Sequence, residues 1–183
     1  LQYIIAGAIT GKNPFKALRN MLPAYFTALG TSSSAATIPV SMESTLKNGI
    51  SKPVASFVIP LCATIHLSGS MIKLTLYAFA IVYMANLDIS TSIGLGFIFL
   101  LGIMMIAAPG VPGGAVMVAA GLLADMMGFD DGMVALMIAA YIAIDSVGTA
   151  ANVTGDGAIA MIVDKFAGDK KGPTEEEPAE STA

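Results

Sequence analysis

Two short polar runs interrupt otherwise apolar sequence, and they restrict what this chain can fold into more than any bulk property does. One is Thr31-Ser32-Ser33-Ser34-Ala35-Ala36-Thr37-Ile38-Pro39; the other is Asn152-Val153-Thr154-Gly155-Asp156-Gly157, with Asp145 upstream. Hydroxyls, an amide and carboxylates are costly inside hydrocarbon unless they bind one another or a ligand. Serine-rich and Gly/Pro-rich breaks in apolar spans also free backbone groups that can hold ions and small solutes. The surrounding sequence is 55% hydrophobic and 12% charged, with a mean hydropathy of +0.76. Together these features predict an all-α membrane protein built around a transport core.

The net charge of −4 misleads, because the acid is concentrated at the end. Residues 167–183 carry Glu175-Glu176-Glu177 and few apolar side chains, and are predicted to form a disordered, acidic, cytoplasmic tail. The single Cys62 lies in an apolar run and has no internal disulfide partner. The chain opens at Leu1 within a hydrophobic stretch, without Met or a signal-peptide pattern. Residues 1–10 therefore read as the end of a transmembrane helix, in a fragment that lacks upstream helices.

The distribution of charge sets the topology. Lys12, Lys16 and Arg19 precede the first polar run and Lys47 and Lys52 follow it; apart from Lys73, no further basic residue appears until Lys165. Lys/Arg-bearing loops face the cytoplasm, so residues 21–42 enter and return from that side as a re-entrant hairpin turning near residues 32–34. Residues 53–85 cross outward, broken at His66-Leu67-Ser68-Gly69-Ser70. Residues 93–127 have only acidic flanks and break at Pro109-Gly110-Val111-Pro112-Gly113-Gly114, giving a second hairpin from outside. Residues 133–166 return to the cytoplasm, in a multi-pass plasma-membrane protein. This is an inverted repeat whose two hairpin tips meet. If each hairpin were instead a plain spanning helix, either Lys47 and Lys52 would lie outside or the acidic loops inside.

On the last helix, Asp145, Thr149, Asn152 and Asp156 fall within about 40° of one another, with Gly148 beside them. Such a stripe faces a cavity or a partner helix rather than lipid. Thr149 or Asn152 alone fits interhelical hydrogen bonding, but two carboxylates on one stripe require a cation, a proton or a donor. The sequon Asn152-Val153-Thr154 is incidental in a buried helix.

Four motifs, Ser32-Ser33-Ser34-Ala35-Ala36-Thr37-Ile38-Pro39, the run from Pro60 to Ser70, Gly110-Val111-Pro112-Gly113 and Asn152-Val153-Thr154-Gly155-Asp156, together resemble the dicarboxylate/amino acid:cation symporters, the glutamate-transporter homologues. The resemblance implies an elevator-type secondary transporter with an inverted-repeat core of two re-entrant helical hairpins and two broken transmembrane helices. It makes residues 1–166 the C-terminal transport domain and implies a homotrimer formed through upstream scaffold helices. Carried over position by position, Ser34, Ser70, Val111 and Gly113 serve the substrate from the hairpin tips and the broken helix. Asp145 takes a substrate ammonium, Thr149 its polar end and Asn152 its carboxylate. Asp156 with carbonyls of Cys62, His66 and Asn152 implies one sodium site, and carbonyls of Thr64, Met105, Ile106 and Ala108 a second. Sodium is the implied coupling ion, and no other cofactor is implied.

The departures bear on the substrate. Where the family usually has Asn-Met-Asp-Gly-Thr, this chain has His66-Leu67-Ser68-Gly69-Ser70, so the acid of a further cation site is missing. Positions that carry an arginine in acidic-substrate members are Gly148 and Ser32 here, and neither offers a cationic fork to a second carboxylate. A small neutral amino acid is therefore expected, with a dicarboxylate or acidic amino acid as the alternative, sodium- or proton-coupled. His66 is either a proton-coupling group or a histidine hydrogen-bonded into the helix break. Lys73 either snorkels or pairs with an acid, or it stands in for a missing cation or for the missing arginine.

Other classes fit less well. An intramembrane aspartyl protease needs two adjacent carboxylates, yet Asp145 and Asp156 lie about 16 Å apart along one helix. Serine hydrolysis lacks Gly-x-Ser-x-Gly, and the only histidine is His66. An ion channel with re-entrant loops remains, separated from a symporter by saturable, ion-coupled uptake. No basic patch with interleaved aromatics suggests nucleic acid. Lipid and a small solute are the expected partners.

Overall fold

Long apolar runs must pair their own backbone groups, and the described residues do so as helices. The computed structural model describes residues 1–167, in which ten α-helices and one 3-10 turn form: α1 (Gln2–Thr10), α2 (Pro14–Asn20), α3 (Leu22–Thr31), α4 (Ser34–Leu46), α5 (Lys52–Ile65), α6 (Ser68–Met84), α7 (Thr91–Met104), the turn Met105–Ala107, α8 (Gly114–Met127), α9 (Asp131–Ala143) and α10 (Asp145–Ala167). Asn13, Ser33, Ser90 and Asp130 each cap a helix start by accepting a backbone N–H two or three residues on. Gly11 and Gly128 end α1 and α8 in the left-handed region, where a residue without Cβ is unstrained.

The helices gather into two apolar cores. One is built on α1–α3, α5 and α10 around Met21, Ile59, Val153 and Met161; the other is built on α6–α9 around Leu74, Phe97, Leu123 and Tyr141. The helix pair α3–α4 packs on α5 and α10, and the pair α7–α8 packs on α6 and α9. Each pair therefore leans on one half of each broken helix. The buried polar residues Ser34, Ser70, Lys73, Asp145, Thr149, Asn152 and Asp156 belong to neither apolar core.

Lengths distinguish crossing from non-crossing elements. The run Lys52–Met84 is long and apolar enough to cross a membrane, and α9 and α10 pass the same test as a pair bent by 62°. At 1.5 Å per residue, the 10 residues of α3 and the 14 each of α7 and α8 reach roughly 15–21 Å, short of a hydrocarbon core about 30 Å thick.

Three features differ from the sequence reading. Pro14–Asn20 form a separate helix, α2, rather than a loop. The first pair continues to Leu46 instead of stopping at residue 42, and α10 includes Ala167; the remainder of the expected tail lies outside the described residues. The resemblance implied a second broken helix without placing its break; the stretch 133–166 is two helices broken at Ile144 (φ −126°, ψ 28°), at a position without Gly or Pro. The physical reason comes from another helix: the Lys73 ammonium on α6 donates to the carbonyls of Tyr141 and Ile144, both at 3.3 Å, satisfying groups that a continuous helix would have used.

The two broken helices touch backbone to backbone at Gly69. A Cβ there would lie 2.5 Å from the Gly148 carbonyl oxygen and 2.8 Å from Ala151 Cβ. Gly69→Ala in the full-length protein is expected to destabilise by about 1–3 kcal/mol. Gly121→Ala, with nothing within 4 Å, is expected to be neutral or stabilising by up to about 1 kcal/mol. Thermal unfolding followed by size-exclusion fluorescence reads both, and equal melting temperatures would show that α6 and α10 are not in close contact.

Candidate functional site

The polar stripe of α10 faces the tips of both helix pairs and the start of α6. Ser34, Ser70, Val111, Asp145, Thr149 and Asn152, all singled out in the sequence, line one cavity of about 10 Å³, no more than a single water needs. The tips are latched to each other: the Gly110 carbonyl accepts from Ser33 Oγ at 3.1 Å and from the Ala35 N–H at 3.2 Å. Gly110 also presses on the end of α5, where a Cβ would meet the Ala63 carbonyl at 2.5 Å. Gly113 (φ +74°) turns the second tip so that its N–H points at Asp145, donating to Oδ2 at 2.8 Å.

Asp145 opens α10, where the positive end of the helix favours an acid. Its second oxygen, Oδ1, accepts from Lys73 Nζ at 3.1 Å, and this pair is almost fully buried. The same ammonium lies 3.5 Å from the centre of the Tyr141 ring, a cation–π geometry. Lys73 also fills the room beside Gly148: a Cβ on Gly148 would lie 3.3 Å from Nζ and 3.4 Å from Cε. The place beside this glycine, which offers no cation of its own, thus holds a charge delivered from α6. Of the readings left open for Lys73, the structure shows pairing with an acid.

Asn152 reaches across to α6. Its Oδ1 accepts from the N–H groups of Gly69 at 2.7 Å and Ser70 at 3.3 Å, and its Nδ2 donates to Ser70 Oγ at 3.0 Å. Those two N–H groups are among the four that a helix start leaves unpaired, and Leu67, preceding α6, has no side-chain acceptor. Thr149 Oγ1 bonds back to the Asp145 carbonyl at 3.0 Å.

One turn below, Asp156 Oδ1 meets His66 Nδ1 at 2.8 Å. The Gln2 amide lies 2.9 Å from His66 Nε2 and donates to Ser68 Oγ at 3.2 Å. A Gln2 donor at Nε2 leaves the imidazole proton on Nδ1, donated to Asp156. His66 is therefore hydrogen-bonded into the helix break. The Cys62 carbonyl accepts from the His66 N–H at 2.9 Å. Of the second carbonyl set, the end of α5 bearing Thr64 packs against the turn Met105–Ala107. Met105 and Ala108 are buried, whereas Thr64 and Ile106 are exposed, and the Met105 carbonyl accepts from the Ala108 N–H at 3.2 Å.

Two contributors escaped the sequence reading. Tyr141 lines the cavity and supports Lys73; it stands four residues before Asp145, so spacing alone marks it as a neighbour. Gln2 is the one amide in the opening apolar stretch, and that was its signal.

The chain is similar in sequence to known membrane transporters. A family model described as "sodium:dicarboxylate symporter family" matches residues 1–166. Excitatory amino acid transporter 1 from Ambystoma tigrinum is 34% identical over 158 residues, covering 86% of this chain and 29% of that protein. Neutral amino acid transporter B(0) from Mus musculus is 29% identical over 174 residues, 91% of this chain and 30% of that protein. Neutral amino acid transporter A from Homo sapiens is 30% identical over 154 residues, 84% of this chain and 29% of that protein. The chain therefore spans less than a third of the length of these relatives, which are named as transporters rather than enzymes.

Gly113 tests whether the tip is a working part. Valine there must adopt φ near +74°, a conformation costing a β-branched residue on the order of 1–3 kcal/mol. Gly113→Val is expected to lower uptake per folded transporter by roughly ten-fold or more, while the amount of folded protein in the membrane falls less. Parallel loss of both quantities would make the glycine purely structural.

Proposed function

The chain belongs to the sodium:dicarboxylate symporter family, and on that premise we propose that it is the transport core of a secondary transporter coupling cation influx, sodium foremost, to uptake of a small neutral amino acid. The observation that carries this reading is the Asp145 carboxylate, buried beneath the second tip with one oxygen on the Gly113 N–H and the other on an ammonium. A carboxylate so arranged suits the α-ammonium of an amino acid. Ser34, Ser70, Thr149 and Asn152 supply hydroxyl and amide groups for its carboxylate and polar atoms, and residues 111–113 close over it. Lys73 fills the place beside Gly148 and has its charge matched by Asp145, two carbonyls and a ring. That leaves no free cation for a second carboxylate.

Entry of the substrate requires the second tip to release Asp145 and the first tip, since the cavity between them is far below the volume of an amino acid. The short α7 and α8 fit a re-entrant hairpin that swings as a gate, and α3–α4 fits its inverted counterpart. Asp156, with one oxygen on His66 and carbonyls of Cys62, His66 and Asn152 nearby in sequence and fold, is the proposed carboxylate of a sodium site. Carbonyls of Thr64, Met105, Ile106 and Ala108 would form a second. Oxygen ligands of this kind suit a hard cation. We place the protein in the plasma membrane, trimeric through helices upstream of Leu1, with its C-terminus in the cytoplasm.

A second reading is favoured by one observation. If Lys73 exchanges Asp145 for a substrate carboxylate, its ammonium lies where a cation beside Gly148 would stand, and the substrate becomes an acidic amino acid or a dicarboxylate.

Two measurements on the full-length protein in liposomes test these assignments. Asp156→Asn removes a charge that attracts the coupling cation, so the sodium concentration for half-maximal uptake is expected to rise by roughly ten-fold; an unchanged value removes Asp156 from the cation site. Labelled serine, aspartate and succinate are compared under an inward sodium gradient. Serine uptake is expected to exceed the other two, and aspartate or succinate uptake without serine uptake would replace the neutral reading by the acidic one.

A further inference from the structure

Lys73 presents to Asp145 the same chemical group that an amino acid would: a primary ammonium on an alkyl stem. It donates to Asp145 Oδ1 at 3.1 Å while the Gly113 N–H takes Oδ2 at 2.8 Å, and the Gly110 carbonyl is held by the first tip. The two tips, Asp145 and the start of α6 enclose a cavity of about 10 Å³. Closing an apolar tip over a lone carboxylate would strip its water without a counter-charge, which is strongly unfavourable. A cation on Asp145 therefore favours closure, as protonation of the carboxylate also would.

We propose that Lys73 is a tethered surrogate for the substrate's ammonium: it neutralises Asp145 so that the second tip can close without cargo, and it gives up that oxygen when an amino acid binds. The argument rests on the amino-acid reading of the site above. Displacement leaves Lys73 supported, because the carbonyls of Tyr141 and Ile144 and the Tyr141 ring surround the same nitrogen. A carrier able to close around its own lysine can make the return stroke unloaded, which net uptake needs and substrate exchange does not. Lys73 is a gating residue in this scheme, acting on the tip through Asp145.

The test reads the tip directly and does not depend on which substrate is carried. In the full-length protein with Cys62→Ala, which keeps the backbone carbonyl, Ala115→Cys places a thiol on the cavity wall, where Ala115 is buried. The rate of labelling by a membrane-impermeant thiol reagent in substrate-free buffer reports opening of the second tip. Lys73→Met is expected to raise that rate on the order of ten-fold, and methylammonium at high concentration is expected to lower it again by supplying a free ammonium. The double variant Lys73→Met/Asp145→Asn, with no charge to neutralise, is expected to label as slowly as the parent. It carries the test even if Lys73→Met alone does not fold, because fast labelling of the double variant would show that Lys73 acts only as a support for the end of α9. Unchanged labelling of Lys73→Met would equally overturn the proposal.

Transport gives the second readout. In Lys73→Met, net serine uptake is expected to fall by roughly ten-fold relative to serine–serine exchange, and parallel loss of both would place Lys73 in substrate binding instead. Absence of serine transport in the parent would remove the neutral-substrate reading, while the labelling result would still judge Lys73.

Discussion

The ammonium of Lys73 is the interaction around which the middle of this molecule is arranged. It joins three features that are each expensive alone: the carbonyl end of α9, the acid that opens α10, and a break in the span between them. Tyr141 offers a carbonyl that lost its helical partner at the break, Ile144 a carbonyl shared with the Val147 N–H, and Asp145 a full charge. A cation at the negative end of one helix and an anion at the positive end of the next agree with both macrodipoles. Removing the ammonium would leave a buried carboxylate without its counter-charge and the Tyr141 carbonyl without a donor in a medium that cannot hydrate them.

The two broken helices complete each other by exchange. From α6, Lys73 supplies the cap that α9 lacks; from α10, Asn152 supplies the acceptor that the start of α6 lacks. Gly69 allows the approach, since any side chain there would strike the Gly148 carbonyl. In hydrocarbon, apolar faces gain nothing by leaving lipid for one another, so close backbone contact and interhelical polar bonds carry the association. This explains why the polar residues sit at the seam between the two apolar cores rather than within either. The same bonds that hold the seam also line the cavity, so the site cannot be altered without touching the architecture.

Much of this was legible in the sequence, for identifiable reasons. The helix breaks at His66-Leu67 and around Pro109–Gly114 announce themselves through Gly, Pro and Ser, and the stripe Asp145-Thr149-Asn152-Asp156 follows from helical spacing. The place of the break at Ile144 was not legible, because residues 141–147 hold no Gly or Pro and the cap-type pair Asp145-Ser146 is a weak signal alone; the lysine that bonds to the break lies about seventy residues upstream. Lys73 itself was visible as an intramembrane charge, but its partner was not, since helix-face arguments give direction along one helix and no information on which neighbour it meets. Gly148 shows the same gap. The glycine offers no cation of its own, and the charge beside it belongs to another helix's side chain. Gln2 bonding to His66 likewise required the contact between α1 and the break in the α5–α6 span.

The strength of the latch decides what the site can do. The second tip is held by the Gly113 N–H on a charged carboxylate and by two bonds to the Gly110 carbonyl. A hydrogen bond to a charged group contributes about 1.5–3 kcal/mol and a neutral one about 0.5–1.5 kcal/mol, so the tip is held by a few kcal/mol in all. That is enough to keep it shut most of the time and little enough for a bound solute to shift the balance. The three bonds are not independent, because the Gly113 bond is strong only while Asp145 is charged and tolerable only while that charge is matched. Closure is therefore conditional on the occupant of one carboxylate oxygen, about 3 Å from the nitrogen that holds it now. On the proposed amino-acid reading, a gate whose stability depends on a single exchangeable ammonium would answer the arrival of the substrate by swapping one cation for another, with no change in the charge it encloses.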